Sequence, residues 1–278
     1  MNDDLGDRMK MLEGAEADRR LMPLLPALAR IDGRAFHPFT RGMRRPYDER
    51  LSRLMITTCR QLVAVTNACM GYTQSDEITL AWLAPDHKSE IFFGGRIMKM
   101  TSQLAALASV YFNNQFNFHF PEGYEFNTDP TFDARVWNVP TVEEGANVFL
   151  WRELDATRNS VQMASQAKYS HKQLDGKNTV EMMNMLHAAG VNWNDYPAFF
   201  RRGTYVQKRT IRRKFTEGEL DKLPEKHEAR GNPNLVVERN VIMDVDVPPL
   251  SKVINRAEFI FCGQDPRTCP EQQPAEPS

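Results

Sequence analysis

Two short acidic signatures are the residues best placed to do chemistry: Asp32-Gly33-Arg34-Ala35-Phe36-His37 and Ser75-Asp76-Glu77. Each adjoins a strand-like run. Residues 27–31 lead into the first, and Ile78-Thr79-Leu80-Ala81-Trp82-Leu83 leaves the second. A fold that pairs those strands brings the carboxylates of Asp32 and Asp76 to the same edge of a sheet. Converging carboxylates repel unless a cation sits between them, and oxygen ligands of this kind suit Mg²⁺. Glycine after Asp32 lets the chain turn sharply, so the Gly33 carbonyl reaches the same ion as the Asp32 side chain. Two ions held in this way stabilise both the attacking and the leaving oxygen of an in-line phosphoryl displacement. Alone, Asp-Gly is a common turn and exposed acids are ordinary. In strand context the pattern implies a metal-dependent nucleotidyl-transfer site.

The elements that must position these residues follow from periodicity and punctuation. Leu5, Met9, Leu12 and Ala15 recur at helical spacing over residues 4–20, and Pro23 and Pro26 end that segment. A strand runs through Ala29 to Asp32. Asp48 is placed to cap a helix reaching about Ala68, with Leu51, Leu54, Met55, Leu62 and Val65 on one side. Residues 70–74 and 78–83 read as a hairpin with Ser75-Asp76-Glu77 at its turn. A second long helix is expected from Arg96 to about Phe116. Arg96, Lys99 and Ser102 share a face at its start, near the positive end of the helix dipole where backbone amides accept phosphate. Surface cations on an amphipathic helix are the alternative reading of that triad. His37, between Phe36 and Phe39, either stacks on a base or packs beneath the loop.

Beyond Pro140 the pattern turns mainly helical, with segments expected at 142–150, 155–167 and 179–188. On Trp151-Arg152-x-x-Asp155, the Arg–Asp spacing also suits an ion pair. Residues 205–215 read as strand and loop, 217–234 as an exposed excursion, and 235–247 as a strand. Strand, helix, hairpin, helix and further strand make this an α+β chain. Its core is a palm-like antiparallel sheet with helices on one face, followed by a mainly helical C-terminal region. The expected divisions are residues 1–136, 137–264 and a Pro-rich tail at 265–278, expected to be disordered.

Hydrophobic residues make up 41% and charged residues 26% of the 278, ordinary values for a globular chain. No apolar run approaches the ~20 residues that span a bilayer, and no secretory leader is visible, so a cytoplasmic protein is expected. Cys59, Cys69, Cys262 and Cys269 have neither a CxxC pair nor metal-finger spacing. The net charge is only −1, yet Arg201, Arg202, Lys208, Arg209, Arg212, Arg213 and Lys214 stand without an acid among them. Such a stripe engages phosphates, or else forms a solvated charged face.

The ordered set of motifs resembles the tRNA(His) guanylyltransferase superfamily. It comprises Ile31-Asp32-Gly33-Arg34-x-Phe36-His37-x-Phe39, Arg45-Pro46-Tyr47-Asp48 and Gln74-Ser75-Asp76-Glu77. Arg96-x-x-Lys99-x-x-Ser102, Phe132-Asp133-x-Arg135-Val136 and Trp151-Arg152-x-x-Asp155 follow, then Leu174-x-Gly176, Tyr196-Pro197 and Arg202-Gly203-Thr204. The resemblance implies a polymerase-like palm and 3′→5′ nucleotide addition to the 5′ end of tRNA, after that end is activated with a nucleoside triphosphate. It assigns Mg²⁺ binding to Asp32, the Gly33 carbonyl and Asp76, with Glu77 supporting catalysis. It gives nucleotide contacts to residues 32–37, Ser75, Arg96, Lys99 and Ser102, with Arg45 and Asp48 near the activating nucleotide. GTP, ATP and other nucleoside triphosphates are the implied ligands, and a homotetramer the implied assembly. Arg135, Arg152 and Asn159 join the basic stripe as expected RNA contacts. Where eukaryotic members carry His-Ile-Asn-Asn, this chain reads Thr157-Arg158-Asn159-Ser160, which is more similar to the guanylyltransferase-like branch that repairs truncated tRNA 5′ ends. Another palm enzyme (a nucleotide cyclase or a 5′→3′ polymerase) and a non-catalytic RNA-binding protein are the competing readings.

Overall fold

The structure is a computed structural model that describes residues 3–122, 129–232 and 234–269. Its elements in chain order are α1 (Asp4–Ala17), β1 (Ala27–Arg34), α2 (Phe36–Phe39), α3 (Glu49–Thr66), β2 (Met70–Gln74), β3 (Glu77–Trp82) and α4 (Ile97–His119). There follow β4 (Thr131–Asn138), α5 (Val142–Gln166), α6 (His171–Leu174), α7 (Thr179–Ala188), α8 (Ala198–Arg202), β5 (Thr204–Lys214), α9 (Glu217–Lys222), α10 (Glu228–Gly231), β6 (Val236–Val245) and α11 (Arg256–Cys262). All six strands form one antiparallel sheet in the order β4-β1-β3-β2-β5-β6.

Strand alternation divides the core into two layers. Ala27, Ala29 and Ile31 of β1, with Ile78, Leu80 and Trp82 of β3, meet Leu54, Leu62, Leu104 and Phe112 from α3 and α4. This is the palm face expected from sequence. The intervening residues Leu28, Met70, Tyr72 and Ala81 meet Phe149 of α5 and Phe259 and Ile260 of α11, so the C-terminal helices cover the other face. That region also supplies β5 and β6 to the same sheet.

Asp48 caps α3 as expected, its side chain accepting from the Arg50 N–H. The hairpin turn is tighter than the sequence suggested. Glu77 pairs with Gln74, leaving only Ser75 and Asp76 between the strands, with Ser75 in the left-handed region at φ 49°. The helices expected at 142–150 and 155–167 are one continuous α5, because no Gly or Pro interrupts residues 151–154. The 217–234 excursion holds the short α9 and α10, and α10 buries Ala229. Helix α1 forms but buries none of its apolar positions; Leu5, Met9 and Leu12 are exposed. Residues 265–269 are tied to the body by an Arg267 N–H bond to Asn255 and a bridge between Val253 and Thr268. The remainder of the expected tail, 270–278, lies outside the described residues. All four cysteines are free, and no described helix is long and apolar enough to cross a membrane.

Candidate active site

The register of the sheet builds the site. Asp32 of β1 lies opposite Glu77 of β3 on one side and Asp133 of β4 on the other, which puts three carboxylates in one row across the strands. Alternation places that row on the same face as Leu28 and Arg30, toward α5. Asp76 sits at the hairpin turn beside it, and its carbonyl accepts from the Gly33 N–H at 3.1 Å. The two acidic signatures, distant along the chain, are therefore hydrogen-bonded to each other at one sheet edge. Gly33 is required there: a Cβ would meet the Phe36 ring at 2.5 Å.

The electrostatics are those of crowded acids. Burial pushes the Asp76 carboxyl above the usual range, and the charge on Asp32 adds to the rise while a Ser75 hydroxyl bond at 3.0 Å opposes it. Burial likewise raises Glu77, with Arg152 opposing and Asp32 and Asp76 reinforcing the shift. Arg152, only 4% exposed, reaches down from α5 to pair with Glu77 through Nη2 and with Asp155 through Nη1 at 3.1 Å. Deleting one member of such a buried pair leaves the other charge unpaired, a cost of about 3–5 kcal/mol.

These residues fit a divalent cation. Two carboxylates and a backbone carbonyl are hard oxygen donors, and their mutual repulsion is what bound positive charge relieves. Among the described residues there is no cluster of three or more His, Cys, Asp or Glu arranged as a metal cage, so the donor set is this smaller one.

The rest of the expected nucleotide site divides. Arg34, Ala35 and His37 are exposed around the Asp32 loop, with Ala35 in the left-handed region at φ 56°. Phe36 is not available to a ligand through its ring. It is 4% exposed and packs against Phe39, Phe112 and Phe132, so it anchors the loop from below. The loop bearing Arg45 and Asp48 lies at the same sheet edge, since Ser52 of α3 lines one small depression with Thr73, Gln74 and Ser75. Arg45 is exposed, but both oxygens of Asp48 are taken by the Arg44 N–H, the Arg50 N–H and the Arg50 guanidinium, which makes Asp48 an organiser of its loop.

Arg96, Lys99 and Ser102 are not beside the carboxylates within one chain. The start of α4 is held at the opposite end of the sheet, where the Gly95 carbonyl accepts from the Leu21 N–H at 2.9 Å and Asn138 Oδ1 from the Met22 N–H at 2.7 Å. It is the later part of α4 that reaches the site end, with Ser109 Oγ accepting from the N–H of Phe132, the register partner of Gly33. Helical rise separates Lys99 from Phe112 by about 20 Å. Lys99 instead lies over the Phe93 ring, 5.0 Å from its centroid, and the Ser102 hydroxyl donates to the Lys99 carbonyl.

The expected RNA contacts also sort by geometry. Arg135 is exposed beside Asp133 at 3.5 Å, and Asn159 is exposed on α5. Arg152 is buried and paired with Glu77 and Asp155, the ion pair that the Arg–Asp spacing also suited. Arg201 donates to the Tyr196 carbonyl at 2.7 Å, and Arg202 to that of Val247 at 3.1 Å. The basic run is a strand, so its charges alternate between faces and do not form one stripe. Arg209 pairs with Asp265, Arg212 with Glu238 and Arg213 with Glu219, while Lys208 and Lys214 stay exposed, the latter donating to Asn234. Sequence reasoning missed Arg30 as a site residue. It lies two residues from Asp32, acts on the Glu77 charge, and keeps its Nε buried without a hydrogen-bond partner among the described residues; period-two alternation from Asp32 was the available signal.

Comparison with known proteins identifies the fold. The profile described as tRNAHis guanylyltransferase (Thg1) matches residues 6–140. A bacterial tRNA(His) guanylyltransferase-like protein solved with ATP superposes with a TM-score of 0.73 at 30% identity, covering 93% of this chain and 99% of that one. The chain belongs to the tRNA(His) guanylyltransferase family. A bacterial guanylyltransferase-like structure with GTP gives a TM-score of 0.68 at 28% identity, over 90% of this chain and 95% of the other. Protein R259 of Acanthamoeba polyphaga mimivirus is 30% identical across 76% of this chain and 80% of its own length. As a member of this family the chain is a nucleotidyltransferase, and its sheet is the palm expected from the motifs.

Proposed function

We propose that this chain adds nucleotides in the 3′→5′ direction to the 5′ end of tRNA, with Mg²⁺ held by Asp32, the Gly33 carbonyl and Asp76. The observation that carries the proposal is the hydrogen bond from the Gly33 N–H to the Asp76 carbonyl, which ties the two acidic signatures together at one sheet edge. Bound there, Mg²⁺ supplies the positive charge that activates a ribose hydroxyl and steadies the departing phosphate. The chain's own residues do the positioning. The left-handed turn at Ser75 presents Asp76, the buried Phe36 ring fixes the Asp32 loop, and Arg152 holds Glu77 beside them.

ATP or GTP activates the 5′ end, a reading supported by the bacterial relatives solved with each nucleotide. The Thr157-Arg158-Asn159-Ser160 segment favours template-directed repair of shortened 5′ ends over strict single-G addition to tRNA(His). Arg96 and Lys99 stand at the far end of the sheet, so within one chain they do not reach a phosphate held at these carboxylates. A homotetramer is the assembly that the family resemblance implies for it. Incubation of full-length and 5′-shortened tRNAs with each labelled nucleoside triphosphate tests the proposal. Label joined to the 5′ end of the shortened tRNA supports it, and label at the 3′ end, or a cyclic product, refutes it.

A further inference from the structure

We propose that Arg152 is a positioning residue of the transfer reaction, acting through Glu77 to fix the metal-binding turn, and that it makes no contact with tRNA. The inference rests on the reading of Asp32 and Asp76 as the metal pair. Glu77 is joined to that pair twice, as the residue after Asp76 and as the register partner of Asp32. Whatever fixes its carboxylate therefore fixes the turn that carries Asp76.

Arg152 is built for that task. Its guanidinium is enclosed, with one terminal nitrogen on Glu77, the other on Asp155 at 3.1 Å, and the Trp151 indole 4.8 Å from Cζ. Asp155 is shared with Arg158 at 3.0 Å, so the guanidinium is oriented from its own helix before it reaches the sheet. Its Nε is buried and has no hydrogen-bond partner among the described residues, and with the side chain only 5% exposed little of the guanidinium is open to a phosphate. A planar fork bound by two carboxylates sets an angle as well as a charge, and a lysine cannot reproduce that. Arg152 also closes the gap between α5 and the carboxylate row, so the C-terminal region registers against the palm at the site itself.

The test compares Arg152→Gln, Arg152→Lys and Asp155→Asn with the unaltered full chain. Positioning through Glu77 lowers kcat by about 10- to 100-fold in Arg152→Gln, the scale seen when a partner of a metal ligand is lost. The Mg²⁺ concentration for half-maximal rate, and Mn²⁺ affinity measured without tRNA, weaken in parallel, while tRNA affinity and its salt dependence stay unchanged. Arg152→Lys recovers part of kcat, and Asp155→Asn shows a smaller loss of the same kind. Should Arg152→Gln not fold, the lysine and Asp155 variants decide the matter by the same readouts. An RNA contact gives a different result: the salt slope of tRNA binding falls by about one with metal affinity unaltered, and that overturns the proposal. Wild-type kcat and metal affinity in all three variants overturn it too. An inactive Asp76→Asn alongside them confines the failure to Arg152, whereas a fully active Asp76→Asn removes the metal reading itself.

Discussion

The carboxylate edge and the β5–β6 ribbon are both dense in charge, yet they are organised in opposite ways. At the edge, Glu77 and Asp133 pair with Arg152 and Arg135, but Asp32 and Asp76 have no ion pair among the described residues, and burial raises Asp76 and Glu77. On the ribbon, Arg209, Arg212 and Arg213 each find an acid, and only part of the apparent basic stripe remains for a partner. Unbalanced charge that a fold retains at structural cost marks a site awaiting a ligand of opposite sign. Charge that the fold neutralises is mainly architecture.

Four sets of substitutions would break or sharpen that contrast. The largest effect is expected at the edge, where Asp32→Asn or Asp76→Asn lowers kcat by about 10³-fold, the upper range for one oriented charge-stabilising group. The double variant loses little more, because the two act as one unit; single-turnover kinetics read this directly. Phe36→Leu comes next, costing about 1–3 kcal/mol by urea denaturation through the aromatic cluster beneath the loop. Asp48→Asn keeps a capping oxygen but loses the negative charge paired with Arg50, a cost of about 1 kcal/mol. Burial works to raise the Asp48 carboxyl, but its bonds from the Arg50 side chain and the Arg44 and Arg50 amides outweigh this and hold it low. Its contribution is then fully present above the unfolded pKa of about 3.9 and fades as pH drops through the lower folded value. Denaturation of wild type and variant should converge only in that acid window. The smallest effect belongs to the ribbon: Lys208→Gln with Lys214→Gln flattens the salt slope of tRNA binding by about two, whereas Arg213→Gln, already paired with Glu219, leaves it unaltered. Equal slopes for both changes would dissolve the contrast.

What was legible in the sequence was whatever local backbone geometry encodes. The Ser75-Asp76 turn is bounded by strand patterns, Asp48 announces a cap, and Asp32-Gly33 ends an apolar run, so the strands and helices of the palm and the convergence of two acids could be read directly. Pairings across long separations could not. Arg152 meets Glu77 from a helix far along the chain, and Glu238 reaches Arg212 only because β6 pairs with β5. Nothing local states that α4 approaches the carboxylates with its later turns, which is why Lys99 was expected at the metals and stands at the other end of the sheet. The same holds for Phe36, which entered the nucleotide set through the motif resemblance: its ring packs on Phe112 and Phe132, and nothing local in the sequence states that.

The most direct measurement is Mn²⁺ binding to the isolated protein, followed by the loss of the free-ion electron paramagnetic resonance signal, in wild type and in Asp76→Asn. If Asp32 and Asp76 grip one cation together, wild type removes Mn²⁺ from solution and the variant binds it at least about tenfold more weakly. Identical titrations for the two proteins would contradict a shared ion at that edge.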